Sequence, residues 1–255
     1  MDTTTILLLC TVAFAAGFVD AVSGGGGLVQ TPMALVLLPH LPVATVIGTL
    51  KIPACSGTAF AAWHYAQKVT MNTKLLTVSV ILAFTFAFTG SYILTLVHND
   101  YMKPVLLIVL TFVAIYTYTK KNFGQHTHKN HSFKMQMIYT VLISIALGFY
   151  DGFIGPGAGS FLVLAHITLL GFDFLHSSAH AKIINLATNF GSVVFFVFKG
   201  SIIWSIAVPM AVCNALGGAL GARMAVKKGN QFIRIFFLVV IVATLIRFGY
   251  DVLWK

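Results

Sequence analysis

Two lysines, Lys51 in "IGTLKIPACSG" and Lys182 in "SAHAKIINLATNFG", sit inside apolar stretches of the chain, and each follows an aspartate, Asp20 or Asp151, that stands just before a glycine-rich break. A lysine at bilayer depth costs at least about 2.5–3.5 kcal/mol on insertion scales unless it faces water or a partner. The chemistry open to such a set is electrostatic. An ammonium holds a small anion, and a carboxylate takes up and releases a proton. The plainer readings are that snorkelling rescues a lysine, and that each aspartate neutralises its neighbouring lysine or caps the glycine turn after it. Two lysines at matching places favour convergence on a shared cavity.

The breaks, "SGGGGL" and "IGPGAGS", supply a second kind of donor. In lipid, irregular backbone survives only where protein buries it or a wet cavity borders it. Free amides at the start of the helix that follows present partial positive charge to an anion; Gly25, Gly26, Gly157 and Gly159 are the expected donors. The alternative is that these glycines only let helices approach closely. Asn185 and Asn189, three and seven residues after Lys182, lie on its helical face, where the first lysine has Ala54 and Thr58. The expected substrate-binding set is therefore Lys51, Lys182, Asn185, Asn189 and the four glycines, with Asp20 and Asp151 as coupling candidates.

These residues must be positioned by elements that live in a bilayer. Of the 255 residues, 58% are hydrophobic and 9% charged, and the mean hydropathy is +0.91. That composition falls outside soluble proteins. The six acidic residues, all aspartates, stand against sixteen Lys and Arg, so the net charge is +10. Such a charge suggests nucleic acid or an anionic surface, but its placement favours membrane topology and no nucleic-acid partner. The N-terminal apolar run has no basic residue before it and reads as a retained membrane segment. Cys10, Cys55 and Cys213 all fall in apolar runs and read as packing residues, with no disulfide framework and no metal site.

A gapless offset of 131 residues superposes Gly17, Phe18, Asp20, Gly24 and Gly26 on Gly148, Phe149, Asp151, Gly155 and Gly157. It then carries Lys51 onto Lys182, Lys68 onto Lys199 and Gly90 onto Gly221. The chain reads as two transmembrane repeats, 1–118 and 137–255, joined by a basic linker, 119–136. Apolar stretches fall at 6–22, 28–38, 43–66, 75–97, 104–118, 137–154, 159–171, 177–198, 202–222 and 235–254. A crossing takes roughly 20 residues, which most of these provide and the two after the glycine breaks do not. With each glycine-broken pair as a hairpin, re-entrant or fully spanning, each repeat crosses an odd number of times and the two are inverted. Lys68, Lys74, Lys120, Lys121, Lys129, Lys134, Arg223, Lys227, Lys228 and Arg234 then share one side against Lys103, Lys199 and Lys255. This bias makes the linker cytoplasmic and both termini periplasmic. The expected fold is an all-α polytopic membrane protein of two inverted-topology repeats, each a broken hairpin plus three transmembrane helices.

Other signals are weaker. His126, His128 and His131 read as part of a solvated basic loop, His180 as structural or interfacial, Gly217 and Gly221 as a helix contact, and Arg247 as pairing with Asp251. No phosphate loop, HExxH or GxSxG is present. Neither an enzyme nor a cofactor is expected.

The run "GFVDAVSGGGGLVQTP" with "GTLKIPACSGT", followed by "GFYDGFIGPGAGSF", "SAHAKIINLATNFGSVVFF", "GARM" and "KKG", resembles the sulfite exporter TauE/SafE family over nearly the whole chain. The likeness is nearest to its branch of bacterial inner-membrane proteins described as probable membrane transporters. It implies a multi-pass transporter, an exporter of small anions such as sulfite or organosulfonates, with lipid and substrate as its partners and room for a homo-oligomer. An anion channel and a non-transporting membrane partner are the alternatives.

Overall fold

The computed structural model describes residues 2–98, 101 and 131–254, the side chains of 234 and 237–254 excepted. The described residues form helices α1 (Thr3–Ser23), α2 (Gly26–Leu37), α3 (Val43–Ala66), α4 (Thr73–Leu94), α5 (Phe133–Phe153), α6 (Ala158–Ala165), α7 (Phe174–Lys199) and α8 (Trp204–Trp254). A π turn, His166–Leu170, extends α6. Local chemistry sets several ends. The Asn72 side chain accepts the amides of Lys74 and Leu75 at the start of α4, and Asp173 accepts that of His176 at the start of α7. Gly24, with φ 78°, and Gly200, with φ 67°, close α1 and α7 in the left-handed conformation.

Six of the helices are long and apolar enough to cross a bilayer: α1, α3, α4, α5, α7 and α8 as far as Ile233. The protein is an all-α polytopic membrane protein. At 1.5 Å per residue, the 12 residues of α2 reach about 18 Å, well short of a bilayer core of about 30 Å. The segments expected from sequence that fall within the described residues reappear within a few residues. The stretches 202–222 and 235–254 are two helices within α8, meeting at a kink where Gly229, φ 69° and ψ −160°, leaves helical geometry. The expected 104–118 segment, most of the linker, His126, His128 and the Arg247–Asp251 pair lie outside the described residues and side chains.

Helices at positions matched by the 131-residue offset pack crosswise. Helix α1 lies along α8 and α5 lies along α4, so the opening helix of each half of the chain is seated on the other half. Missing side chains allow the approach: Gly217 and Gly221 face the carbonyls of Phe14 and Phe18, while Gly148 and Gly152 face the backbone of Ala83 and Ala87. Helices α3 and α7 cross in opposite directions. Val43 and Ile47, at the start of α3, share a core cluster with Phe195 and Phe196 near the end of α7. Ala61 and Tyr65, near the end of α3, cluster with Phe174 and Ala179 at the start of α7. At that second end Arg223 donates to His64 at 3.0 Å, and Lys68 and Lys74 flank the α3–α4 turn; Lys199 meets Thr95 at the other end.

Candidate functional site

The two glycine breaks meet each other. The Gly24 carbonyl accepts the Ser160 amide at 3.0 Å, and the Ser160 hydroxyl donates to the Ser23 carbonyl at 2.9 Å. Backbone that would be orphaned in lipid is thus satisfied by the matching break. Gly24 and Gly159 touch backbone to backbone, and a Cβ on either would collide with the other.

Beside this contact lies a cavity of about 60 Å³, bordered by α1, α2, α3, α5, α7, α8 and both breaks. A site needs roughly 10–15 Å³ on this measure for one water, so the cavity has room for a few waters or a small anion. Of the residues expected from sequence, Lys51, Asp20, Asp151, Asn185, Asn189, Gly26, Gly157 and Gly159 line it. Gly25 instead forms the N-cap of α2, its carbonyl accepting the Leu28 amide, and is not among the lining residues. Lys182 is fully buried just behind Asp20.

Neither lysine stands bare. The Lys51 ammonium donates to Asp151 Oδ1 at 2.8 Å, to the Asp151 carbonyl at 2.7 Å and to Asn189 Oδ1 at 3.3 Å. Lys182 donates to Asp20 Oδ2 at 2.9 Å. Each aspartate therefore pairs with the lysine of the other half of the chain, where the sequence reading paired it with its neighbouring lysine. The two pairs are reciprocal at the 131-residue offset. Thr58 and Asn189, themselves matched at that offset, meet between them at 3.4 Å. The two lysines and two aspartates thus balance in formal charge.

The surroundings of the pairs differ. Asp151 Oδ2 accepts from Asn185 at 3.0 Å and from the Thr188 hydroxyl. Asp20 has one further donor, Thr58 at 3.3 Å. The corresponding positions of the first repeat, Ala54 and Gly57, have no side-chain donor to offer.

Gln30 and Asn214 also line the cavity, joined by an Asn214 Nδ2 donor to Gln30 Oε1 at 2.9 Å; Gln30 reaches back to the Leu50 carbonyl at 3.4 Å. Sequence reasoning missed both, along with Thr188. An isolated amide in an apolar run was the available signal, but their matches in the other repeat are Phe161 and Ala83, so a search for duplicated residues passes over them. His180 lies away from the lining, its ring 4.9 Å from Phe172 and 5.7 Å from His166, with Nδ1 at 2.9 Å from the His176 carbonyl. The three cysteines are free thiols in half-buried positions.

The sequence model of the family described as "Sulfite exporter TauE/SafE" matches residues 9–248. Among curated relatives, a "Probable membrane transporter protein ORF9" of Sinorhizobium is 33% identical over 95% of this chain and 91% of its own. A "Probable membrane transporter protein" of Haemophilus influenzae is 31% identical over 98% of this chain and 96% of its own. The Escherichia coli "Probable membrane transporter protein YfcA" is 30% identical over 96% of this chain and 89% of its own. No solved structure matches.

Proposed function

The chain belongs to the sulfite exporter TauE/SafE family, and on that premise we propose that it is a secondary transporter that exports small anions such as sulfite or organosulfonates through the cavity between its repeats. The observation that carries this reading is the pair of reciprocal buried ion pairs, Lys51–Asp151 and Lys182–Asp20, closing a polar cavity where the two breaks meet. Buried charge of this kind in a membrane helix is costly and is retained at substrate and ion pathways. Broken helices meeting at a repeat interface are the recurrent architecture of secondary transporters. The antiparallel crossing of α3 and α7 and the crosswise seating of α1 and α5 support an inverted relation between repeats 1–118 and 137–255.

In this mechanism a lysine freed from its carboxylate holds the anionic head, and the break amides of Gly26, Gly157 and Gly159 add donors. Asp20 or Asp151 carries a coupling proton. Because the two lysines and two aspartates already balance in charge, an anion that takes a lysine from its carboxylate is best accompanied by a proton on that carboxylate. Anion and proton then travel together without net charge, and the concentration gradient sets the direction, outward when the anion is produced inside. Rocking of one repeat against the other alternates access.

Purified protein in liposomes loaded with labelled methanesulfonate, which stays ionised at working pH, is expected to give saturable efflux that quickens when the interior is made acidic. Flux that rises linearly without saturation would favour an anion channel. Zero flux for sulfite and every sulfonate, with folded protein, would favour a non-transporting membrane partner.

The basic groups gathered at the end of Lys68, Lys74 and Arg223 support placing that end in the cytoplasm of a bacterial cell, in the inner membrane, with both termini periplasmic. A periplasm-active reporter fused after Lys255 is expected to be active; activity of a cytoplasmic reporter alone would reverse the orientation.

A further inference from the structure

We infer that the two ion pairs do different work: Asp20–Lys182 opens to receive the anionic group of the substrate, whereas Lys51–Asp151 is a fixed clasp between α3 and α5. This deepens the transport reading above and rests on it.

The Lys51 ammonium has three N–H bonds, and all three are engaged by the Asp151 carboxylate, the Asp151 carbonyl and Asn189. Asp151 in turn is held through both carboxylate oxygens, by Lys51 on one and by Asn185 and Thr188 on the other. Opening this pair breaks a filled network, and such networks are rigid. Lys182 is also fully buried, yet Asp20 is the hydrogen-bond acceptor recorded for its ammonium among the described residues, which leaves two of its N–H bonds uncommitted. Asp20 binds through Oδ2, with Thr58 as a long second donor, and its side chain is 18% exposed, against 4% for Asp151, both lining the cavity.

The asymmetry is written in side chains and so does not depend on which way the protein faces. The donors that saturate Asp151, Asn185 and Thr188, are replaced around Asp20 by Ala54 and Gly57. Asp20 is therefore the carboxylate that can let go, and the lysine behind it has donors ready for oxyanion oxygens. The other titratable groups near Asp20 are Tyr65, which donates to the Ala21 carbonyl on α1, and the Lys51–Asp151 pair across the cavity. The cavity-lining residues from α2, α6 and α8 include no titratable group.

The test uses charge-neutral double variants, which leave no orphaned charge behind. The full-length protein is purified, and methanesulfonate binding is read by thermal shift and by equilibrium titration between pH 5.5 and 8. Lys51→Met/Asp151→Asn is expected to melt lower but to bind within about threefold of the unmodified protein, as a lost support would allow. Lys182→Met/Asp20→Asn is expected to keep its melting temperature and to lose about a hundredfold or more in affinity, the scale of removing a buried charged partner. Asp20→Asn alone leaves Lys182 charged and is expected to bind the sulfonate more tightly, with the pH dependence gone, while Asp151→Asn keeps that dependence. The reverse pattern, or equal loss in both double variants, would overturn the division of labour while leaving transport standing. Failure of the unmodified protein to bind any sulfonate or sulfite would overturn the transport reading and this inference with it.

Discussion

Gly24→Ala is expected to lower the melting temperature of the purified protein far more than Gly200→Ala does, although both glycines hold nearly the same left-handed backbone, φ 78° and 67°. An L-residue there costs roughly 1–2 kcal/mol in either case. At Gly200 nothing lies within 4 Å of the added methyl, so the conformational cost is the whole effect. At Gly24 the methyl falls 2.5 Å from the Ser160 amide nitrogen and 2.6 Å from the Gly159 oxygen. Backbone cannot swing aside as a side chain does, so overpacking adds about 1–3 kcal/mol, and separating the breaks also unmakes the bonds that satisfy them in lipid. Fluorescence-detected size exclusion across a temperature ramp separates the cases. Equal shifts would mean that the two breaks do not bear on each other.

Asp151→Ala is expected to be the most damaging single change among the ion-pair residues. Removing one partner of a buried pair costs about 3–5 kcal/mol because the other charge stays behind. Here it strands the Lys51 ammonium at 5% exposure and also deprives Asn185 and Thr188 of their common acceptor. The companion change Lys51→Met in the same chain should return most of the lost stability, since the cost lies in the unpaired charge. Denaturation in mild detergent with each single and the double variant gives the coupling directly. Additive losses would show that the pair does not stabilise the fold as a unit.

Much of this site could be read from residue types, because lysine, aspartate and clustered glycine are rare in so apolar a chain and each appears twice at one spacing. What could not be read is who pairs with whom. Asp20 and Lys51 are close in sequence and belong to one repeat, which invites a local pair; α1, however, is seated on α8, and the crossing of α3 with α7 delivers each aspartate to the other repeat's lysine. That choice depends on helix packing, to which the linear spacing is blind. Gln30 and Asn214 escaped for the opposite reason, since a search built on symmetry discards what occurs once. The helices were legible from apolar run length, and the polar run "VKKGNQ" that divides the last two of them holds the kink at Gly229.

The crossed pairing also sets a schedule for synthesis. Lys51 must enter the membrane 100 residues before Asp151 exists. At roughly 5–20 residues per second of translation the interval is about 5–20 seconds, during which the charge has water, lipid headgroups or the insertion machinery for company. The first half of the chain therefore waits for the second before either of its buried charges, Asp20 and Lys51, meets its final partner.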